Sequence, residues 1–383
     1  MPTADGTENA SVYLEALRGL APLIAEHRAA FDRDRRLPDA VFGALAGAGL
    51  FRLWLPRTLG GPELSPLDFM RVVEAASALD GSVGWLVGNG GGMSRVGGYL
   101  PTAVARDWFA SPSAFIVSAT GAVGSAEVVN GGYRVTGRWP FGSGTPHASH
   151  FMGLTTIGGK QAPDQTLCCY FERDQVTVHD TWHVSGMRGT GSWHFELRDA
   201  FVPTGHVHAF IGDAPTAPGL LYRMPPVSVF SWTVSVVPLG IARGAIDAFG
   251  MLAGSKVSAA GLLRDREAVQ ATVGRVETLH AAARALLVEA MTELMAATDI
   301  GGERLIAARS RLRTAEAHAA ETALRIVDML AADAGSAAIF ESCPLERAIR
   351  DVQAAAKHVA MSPASYTVAG RLRLGLDPGT AMF

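Results

Sequence analysis

The apolar positions change period twice along the 383 residues. Phe69, Val72, Val73, Ala76 and Leu79 recur at the 3.6-residue spacing of a helix with one buried face. Its start is marked too: Ser65-Pro66-Leu67-Asp68 offers an N-cap hydroxyl, a proline at the first helical position and a carboxylate at the third. Residues 39–50 predict a shorter helix rich in Ala and Gly, and the turn-rich run Leu59-Gly60-Gly61-Pro62 separates the two. Over residues 114–203 the period falls to two. Tyr133 and Val135, Val176 and Val178, and Trp193, Phe195 and Leu197 alternate with polar neighbours, with turns at Asn130-Gly131-Gly132 and Gly158-Gly159. This predicts an antiparallel β unit of about 90–100 residues. After the Pro-rich stretch 214–226 the helical period returns. Val269, Val273, Val276, Ala283 and Leu287 mark one long helix; Leu305, Ala308, Leu312, Ala315, Ala319, Ile326 and Leu330 mark another, at the spacing of a bundle seam.

The expected architecture is therefore α+β and multidomain: a helical domain over residues 1–112, a β-barrel-like domain over 113–218 and a four-helix bundle over 219–383. Ala-rich helices of this kind pack closely. We expect the bundle to continue into the interface of a homo-oligomer, a dimer or tetramer, with a self-sufficient monomer as the other outcome. Hydrophobic residues make up 48% of the chain and charged residues 18%, with a net charge of −3 and no cluster of Lys and Arg. Nucleic acid and anionic membranes need a basic face, so neither is an expected partner. No apolar run reaches the ~18–20 residues of a bilayer span. Residues 1–10 are polar and acidic, unlike a signal peptide. A cytoplasmic protein is expected, with Cys168, Cys169 and Cys343 reduced. His147 and His150 lack a nearby third ligand, so no metal is expected.

Several motifs carry more information. Gly-Met-Arg-Gly-Thr-Gly-Ser at 186–192, then Asp-Ala-Phe-Val-Pro at 199–203, Gly-Ile-Ala-Arg-Gly-Ala at 240–245, and Glu346-Arg347 with Arg350-Asp351 resemble the acyl-CoA dehydrogenase fold. The match runs over about residues 37–374. Within that superfamily, Asp-Gly-Ser-Val-Gly-Trp at 80–85, Trp-Pro-Phe-Gly-Ser-Gly at 139–144 with His147-Ala148, and Arg350-Asp351 followed by His358 resemble flavin-dependent monooxygenases. Those include the oxygenase components of p-hydroxyphenylacetate hydroxylase and dibenzothiophene monooxygenase. Two absences separate the chain from dehydrogenases. Residues 359–370 hold no acidic side chain to remove a proton beside a thioester, and residues 255–263 offer only Lys256 where dehydrogenases place an arginine for the FAD pyrophosphate.

The resemblance implies an enzyme that uses reduced FMN or FAD with O2, through a C4a-hydroperoxyflavin, to oxygenate a small molecule. A separate reductase would supply the flavin, since no nicotinamide-binding strand–Gly-rich–helix unit occurs here. Ser143 occupies the position similar to the family's flavin N5 partner, flanked by Gly142 and Gly144; alone, a serine between glycines is a turn. His358 corresponds to the family's C-terminal histidine. On a continuing helix it would project over Ala354 and Ala355, able to pass a proton or to restrain the flavin; the other reading is a hydrogen-bonded core histidine. Thr190 and Ser192 offer hydroxyls in a Gly-rich loop. Trp85, Met93 and Ser118 are candidates for the substrate pocket, although Trp85 also suits core packing. Trp182 and His183 are either pocket wall or packing.

Phenol hydroxylases of this group carry a histidine about fifty residues before the serine, where this chain has Met93. Methionine is no base, so either the substrate is not a simple phenol or another group ionises it. The small residues around Met93 suggest a roomy apolar site and a bulky aromatic or polycyclic substrate. The alternatives are an FAD-dependent desaturase of the acyl-CoA dehydrogenase type and a non-catalytic scaffold.

Overall fold

The computed structural model describes residues 10–158, 166–258 and 261–380. Residues 1–9 and Gly159, which entered the reading of the N-terminus and of one turn, lie outside these. Packing divides the chain into two compact units, one of Met1–Phe69, Leu86–His183 and Arg188–Pro226, the other of Met70–Trp85, Val184–Met187 and Val227–Phe383.

The chain opens with α1 (Ala10–Asp34), α2 (Asp39–Gly47), α3 (Pro66–Leu79), α4 (Gly81–Met93) and α5 (Thr102–Trp108). Helix α3 starts as its sequence indicates: Ser65 Oγ accepts the Asp68 N–H at 3.1 Å and donates to the Asp68 carboxylate at 3.1 Å. The expected helix at 39–50 ends early, at Gly47, because Gly49 takes a positive φ of 73° and turns the chain.

In the first unit, β1 (Ile116–Val129), β2 (Gly132–Gly142), β3 (His150–Ile157), β4 (Thr166–Glu172), β5 (Thr177–His179), β6 (Trp193–Pro203) and β7 (Val207–Ala209) form one sheet in the order β5-β6-β2-β1-β3-β4-β7. All pairs are antiparallel except β1 with β3. Seven of the eight β3 residues are buried, so the strand has no alternation from which its pairing could be read. Trp139 anchors the sheet. It is fully buried, donates from Nε1 to the Leu154 carbonyl at 3.0 Å, and lies where side chains on Gly124, Gly137 and Gly153 would stand within 2.6 Å of its ring.

The second unit holds α7 (Pro226–Ser235), α8 (Val237–Ser255), α9 (Glu267–Thr298), α10 (Gly302–Ala334), α11 (Pro344–Ala355) and α12 (Ala364–Arg373). The four-residue α6 (Leu220–Arg223) and a short hairpin of β8 (Val257–Ser258) and β9 (Gly261–Leu262) precede and interrupt this series. Helices α8, α9, α10 and α11 pack on one another. The α10 seam is the expected one except at its start: Leu305 is half-buried, while Ala308, Leu312, Ala315, Ala319, Ile326 and Leu330 are buried, each large member contributing roughly 1.5–3 kcal/mol. Gly240 and Gly244 let α8 approach α3, since a Cβ there would meet the Glu74 and Ala78 carbonyl oxygens at 2.6 and 2.4 Å. One expectation is corrected: Pro226–Ser255 is long and apolar enough to cross a bilayer, but most of it is buried inside the protein, as a core helix is.

Candidate active site

In the first unit, the end of β2 is shaped by a bulge. The β2–β6 register slips between Trp139 and Gly142, Phe141 takes a φ of 64° and Gly144 one of 85°. Bulges bend a strand and re-aim its side chains; here Phe141 is turned outward and is 62% exposed. Trp182 and His194 set ring edges against it, at 6.3 and 6.1 Å between centroids. Beyond the bulge Ser143 becomes buried and meets the Gly-rich loop. Its Oγ lies 2.8 Å from Ser192 Oγ, which lies 2.6 Å from Thr190 Oγ1, and the Gly144 N–H donates to the Thr190 carbonyl at 2.8 Å. The structure thus joins three sequence candidates, Ser143, Thr190 and Ser192, in one buried chain of hydroxyls. Gly144 is obligatory, because a Cβ there would sit 2.3 Å from the Phe115 ring. Next to Ser192, the Trp193 indole N–H is buried with no hydrogen-bond partner among the described residues.

In the second unit, His358 does not continue α11. That helix ends at Ala355, and His358 caps a following single turn, Val359–Met361, in extended backbone. The alanine-lined helical face expected for it is therefore corrected. The Ala360 N–H donates to His358 Nδ1 at 3.2 Å, so the ring proton resides on Nε2. Burial first, and the Arg313 charge second, lower the imidazole to about 4. It is a neutral N–H donor at physiological pH, not a cation. Trp85 sets its edge to this ring, with centroids 5.4 Å apart and planes at 76°.

The charges of α11 serve to hold the same unit together. Asp80 caps α4 through the Ser82 N–H at 2.9 Å and pairs with Arg347 Nε at 2.9 Å; Arg347 also lies 3.6 Å from Asp351. Asp351 accepts the Met187 N–H at 2.6 Å. Its burial, reinforced by Asp80, pushes the carboxyl up to about 7. Gly186 has no room for a side chain, since a Cβ would fall 2.0 Å from the Arg350 carbonyl oxygen. The 186–187 end of the loop motif and the Arg-Asp pair are thus explained by the docking of α11.

Met93 is buried at the end of α4, and Ser118 is half-buried on β1. The glycines before Met93 do not make room there. A Cβ on Gly90 would meet Phe115 at 2.4 Å, and one on Gly91 would meet the Leu50 carbonyl at 3.0 Å. They allow close helix packing, so these two glycines do not carry the expectation of a roomy site. His183 is exposed beside the Arg35–Asp180 pair. His147 stacks on Phe42 at 4.1 Å and contacts the Leu37 carbonyl at 2.9 Å. Lys256 donates to the Ala334 carbonyl at the end of α10, at 2.6 Å, and is thereby engaged in capping a helix. Among the described residues no three His, Cys, Asp or Glu side chains cluster as a metal site.

The residues at the β2 bulge suit a flavin. Hydroxyls in series and a buried, unpartnered indole N–H match the carbonyls and nitrogens along an isoalloxazine edge, and the exposed Phe141 offers an apolar face. The sequence marked Trp193 only as a strand position, and did not single out Arg313 or Glu316. The last two form an ion pair on α10 between a half-buried arginine and a buried glutamate, signalled only by opposite charges three residues apart inside an alanine seam.

Comparison with known proteins agrees. Residues 13–98 match the acyl-CoA dehydrogenase N-terminal domain, and residues 232–363 match the acyl-CoA dehydrogenase C-terminal domain. Indole-3-acetate monooxygenase of Pseudomonas putida is 30% identical over 361 residues, covering 91% of this chain and 90% of its own. The HsaA oxygenase subunit of a flavin-dependent monooxygenase from Rhodococcus jostii is 30% identical over 95% of this chain and 98% of its own. Among solved structures, XiaF from Streptomyces sp., in complex with FADH2 and glycerol, superposes with a TM-score of 0.88 at 27% identity, covering 98% of both chains.

Proposed function

Because this chain belongs to the acyl-CoA dehydrogenase superfamily, as an oxygenase component in its flavin-dependent monooxygenase branch, we propose that it inserts oxygen into an aromatic small molecule, using flavin delivered by a separate reductase. Bound reduced flavin supplies the two electrons of the reaction, so that one atom of O2 enters the substrate and the other leaves as water. The names of the relatives, which include an indole-3-acetate monooxygenase and an FADH2-dependent resorcinol hydroxylase, support an aromatic substrate. FMN and FAD both remain open to it. The same reading assigns a homo-oligomer working in the cytoplasm.

The observation that carries this reading is the hydroxyl chain Ser143–Ser192–Thr190 behind the β2 bulge. Ser143 would hold bound flavin through a hydrogen bond at N5. Its orientation is set by Ser192, which is in turn set by Thr190, so the bond is prepared before the cofactor arrives. Buried hydroxyls in place of water would keep the site dry there. His358, neutral with its proton on Nε2, donates a hydrogen bond from that atom without carrying charge into the site. Each within its own unit, Trp85 and Met93 are assigned as apolar contacts of the substrate and Ser118 as a hydroxyl contact.

The dehydrogenase alternative requires a carboxylate in residues 359–370, which have none. The test supplies reduced flavin through a reductase, with indole and resorcinol derivatives as substrates, and measures product and peroxide per flavin oxidised. We expect coupled product from wild type and, for Ser143→Ala, a fall in coupling of about tenfold or more with peroxide rising in step. Equal coupling in the two proteins would remove Ser143 from the mechanism. Reduction of a tightly held flavin by an acyl-CoA would replace the monooxygenase reading altogether.

A further inference from the structure

The His358 turn is seated only in part by its own side chains. Val359 is 69% exposed, and only Ala360 and Met361 are inserted into the unit. The turn has, in addition, a polar tether from α10. Arg313 donates from one terminal nitrogen to the Val359 carbonyl at 3.1 Å and from the other to Glu316 at 3.1 Å. Glu316 is fully buried, and its second oxygen accepts the Ser231 hydroxyl at 2.7 Å. Burying the Glu316 carboxylate is expensive, and an apolar residue would fill that position of the seam at least as well. The partly exposed Arg313 offsets that cost with one arm of its guanidinium and holds the turn with the other. A planar fork can bind the carboxylate and the carbonyl at once in fixed directions, which an ammonium cannot.

We propose that Arg313 is a positioning residue for the oxygenation step: locked by Ser231 and Glu316, it holds the Val359 carbonyl and so fixes the turn that aims the His358 imidazole. The inference rests on the reading that His358 serves the flavin. It concerns a residue that acts through another, since Arg313 reaches the backbone of the turn and not the ring. The Ala360 N–H then keeps Nδ1 occupied and leaves Nε2–H as the donor. Burial, with the Arg313 charge second, depresses the imidazole.

The test compares three proteins with wild type: a charge-balanced pair variant, Arg313→Met with Glu316→Gln; His358→Asn; and the triple variant. Two quantities are read. One is product formed per reduced flavin oxidised. The other, taken on flavin-free protein, is the nitrogen chemical shifts of the His358 ring, assigned by their loss in His358→Asn. In wild type these report a fixed Nε2–H tautomer. In the pair variant we expect them to move toward a tautomer average and coupling to fall about tenfold, less than the roughly hundredfold that a 1 Å misplacement can cost. The triple variant should be no worse than His358→Asn. An unmoved ring signature with wild-type coupling in the pair variant overturns the inference, as does a triple variant markedly worse than His358→Asn. Wild-type coupling in His358→Asn sinks the underlying reading instead. Should the pair variant fail to fold, Arg313→Lys decides by the same ring signature, displaced if the fork matters and unchanged if it does not.

Discussion

With its ring held to about 4, His358 acquires charge only as the pH falls toward that value. Coupled turnover should therefore show no inflection from this residue between pH 6 and 8. A step near pH 6.5 that vanished in His358→Asn would contradict the neutral-donor role. Other histidines store stability in the same way. Burial lowers His147, His150 and His208 to about 4 as well. Each takes up a proton more readily when the chain is unfolded, so its contribution is complete above about pH 6.5 and is lost as pH falls toward 4. In His147→Gln, which can keep the bond to the Leu37 carbonyl, the drop in unfolding free energy between pH 7 and pH 5 should shrink, by on the order of 1–2 kcal/mol. Denaturant titrations at the two pH values would measure it. Glu316 works the other way. Burial pushes it up to about 7 against the pull of Arg313 and two serines, so its share of stability declines as pH rises from about 4.5 to 7.

Elements are held in register here by the absence of side chains as much as by their presence. Gly186 admits the Arg350 carbonyl of α11, and Gly186→Ala should destabilise the second unit by about 2–4 kcal/mol through overpacking and backbone displacement. A melting temperature unchanged within a degree would refute the fit. The same scale explains what could be read in advance. The Ser65 cap, the α10 seam and the β2–β6 alternation are local patterns, and each was legible. The parallel β1–β3 pairing was not, because a strand buried on both faces loses its period. Nor was the end of α11. Ala354, Ala355, Ala356 and Lys357 contain no helix breaker, and the chain leaves the helix where a tertiary tether, Arg313 on the Val359 carbonyl, holds it. Of the candidate site, Ser143, Thr190 and Ser192 could be named from motif alone; that one hydroxyl orients the next required coordinates. The glycines near Met93 misled for the opposite reason, since small residues signal close contact as often as space.

For the molecule as a whole, the reading divides labour between proteins. Lys256 is engaged at the end of α10, leaving residues 255–263 without a cation for a pyrophosphate. The flavin-free chain is then expected to purify without stoichiometric cofactor and to consume oxygen only when a reductase and its nicotinamide are added. A stable yellow complex that turned over without them would count against a two-component system. The sheet in the first unit has a further consequence, for its history. An indole lying across glycines of three different strands is a joint solution, in which neither the ring nor any one of those glycines is free to vary alone. Among descendants of a common ancestor, positions 124, 137, 139 and 153 should change as a block. A lineage that trades the tryptophan for a smaller residue should regain methyl groups beneath it.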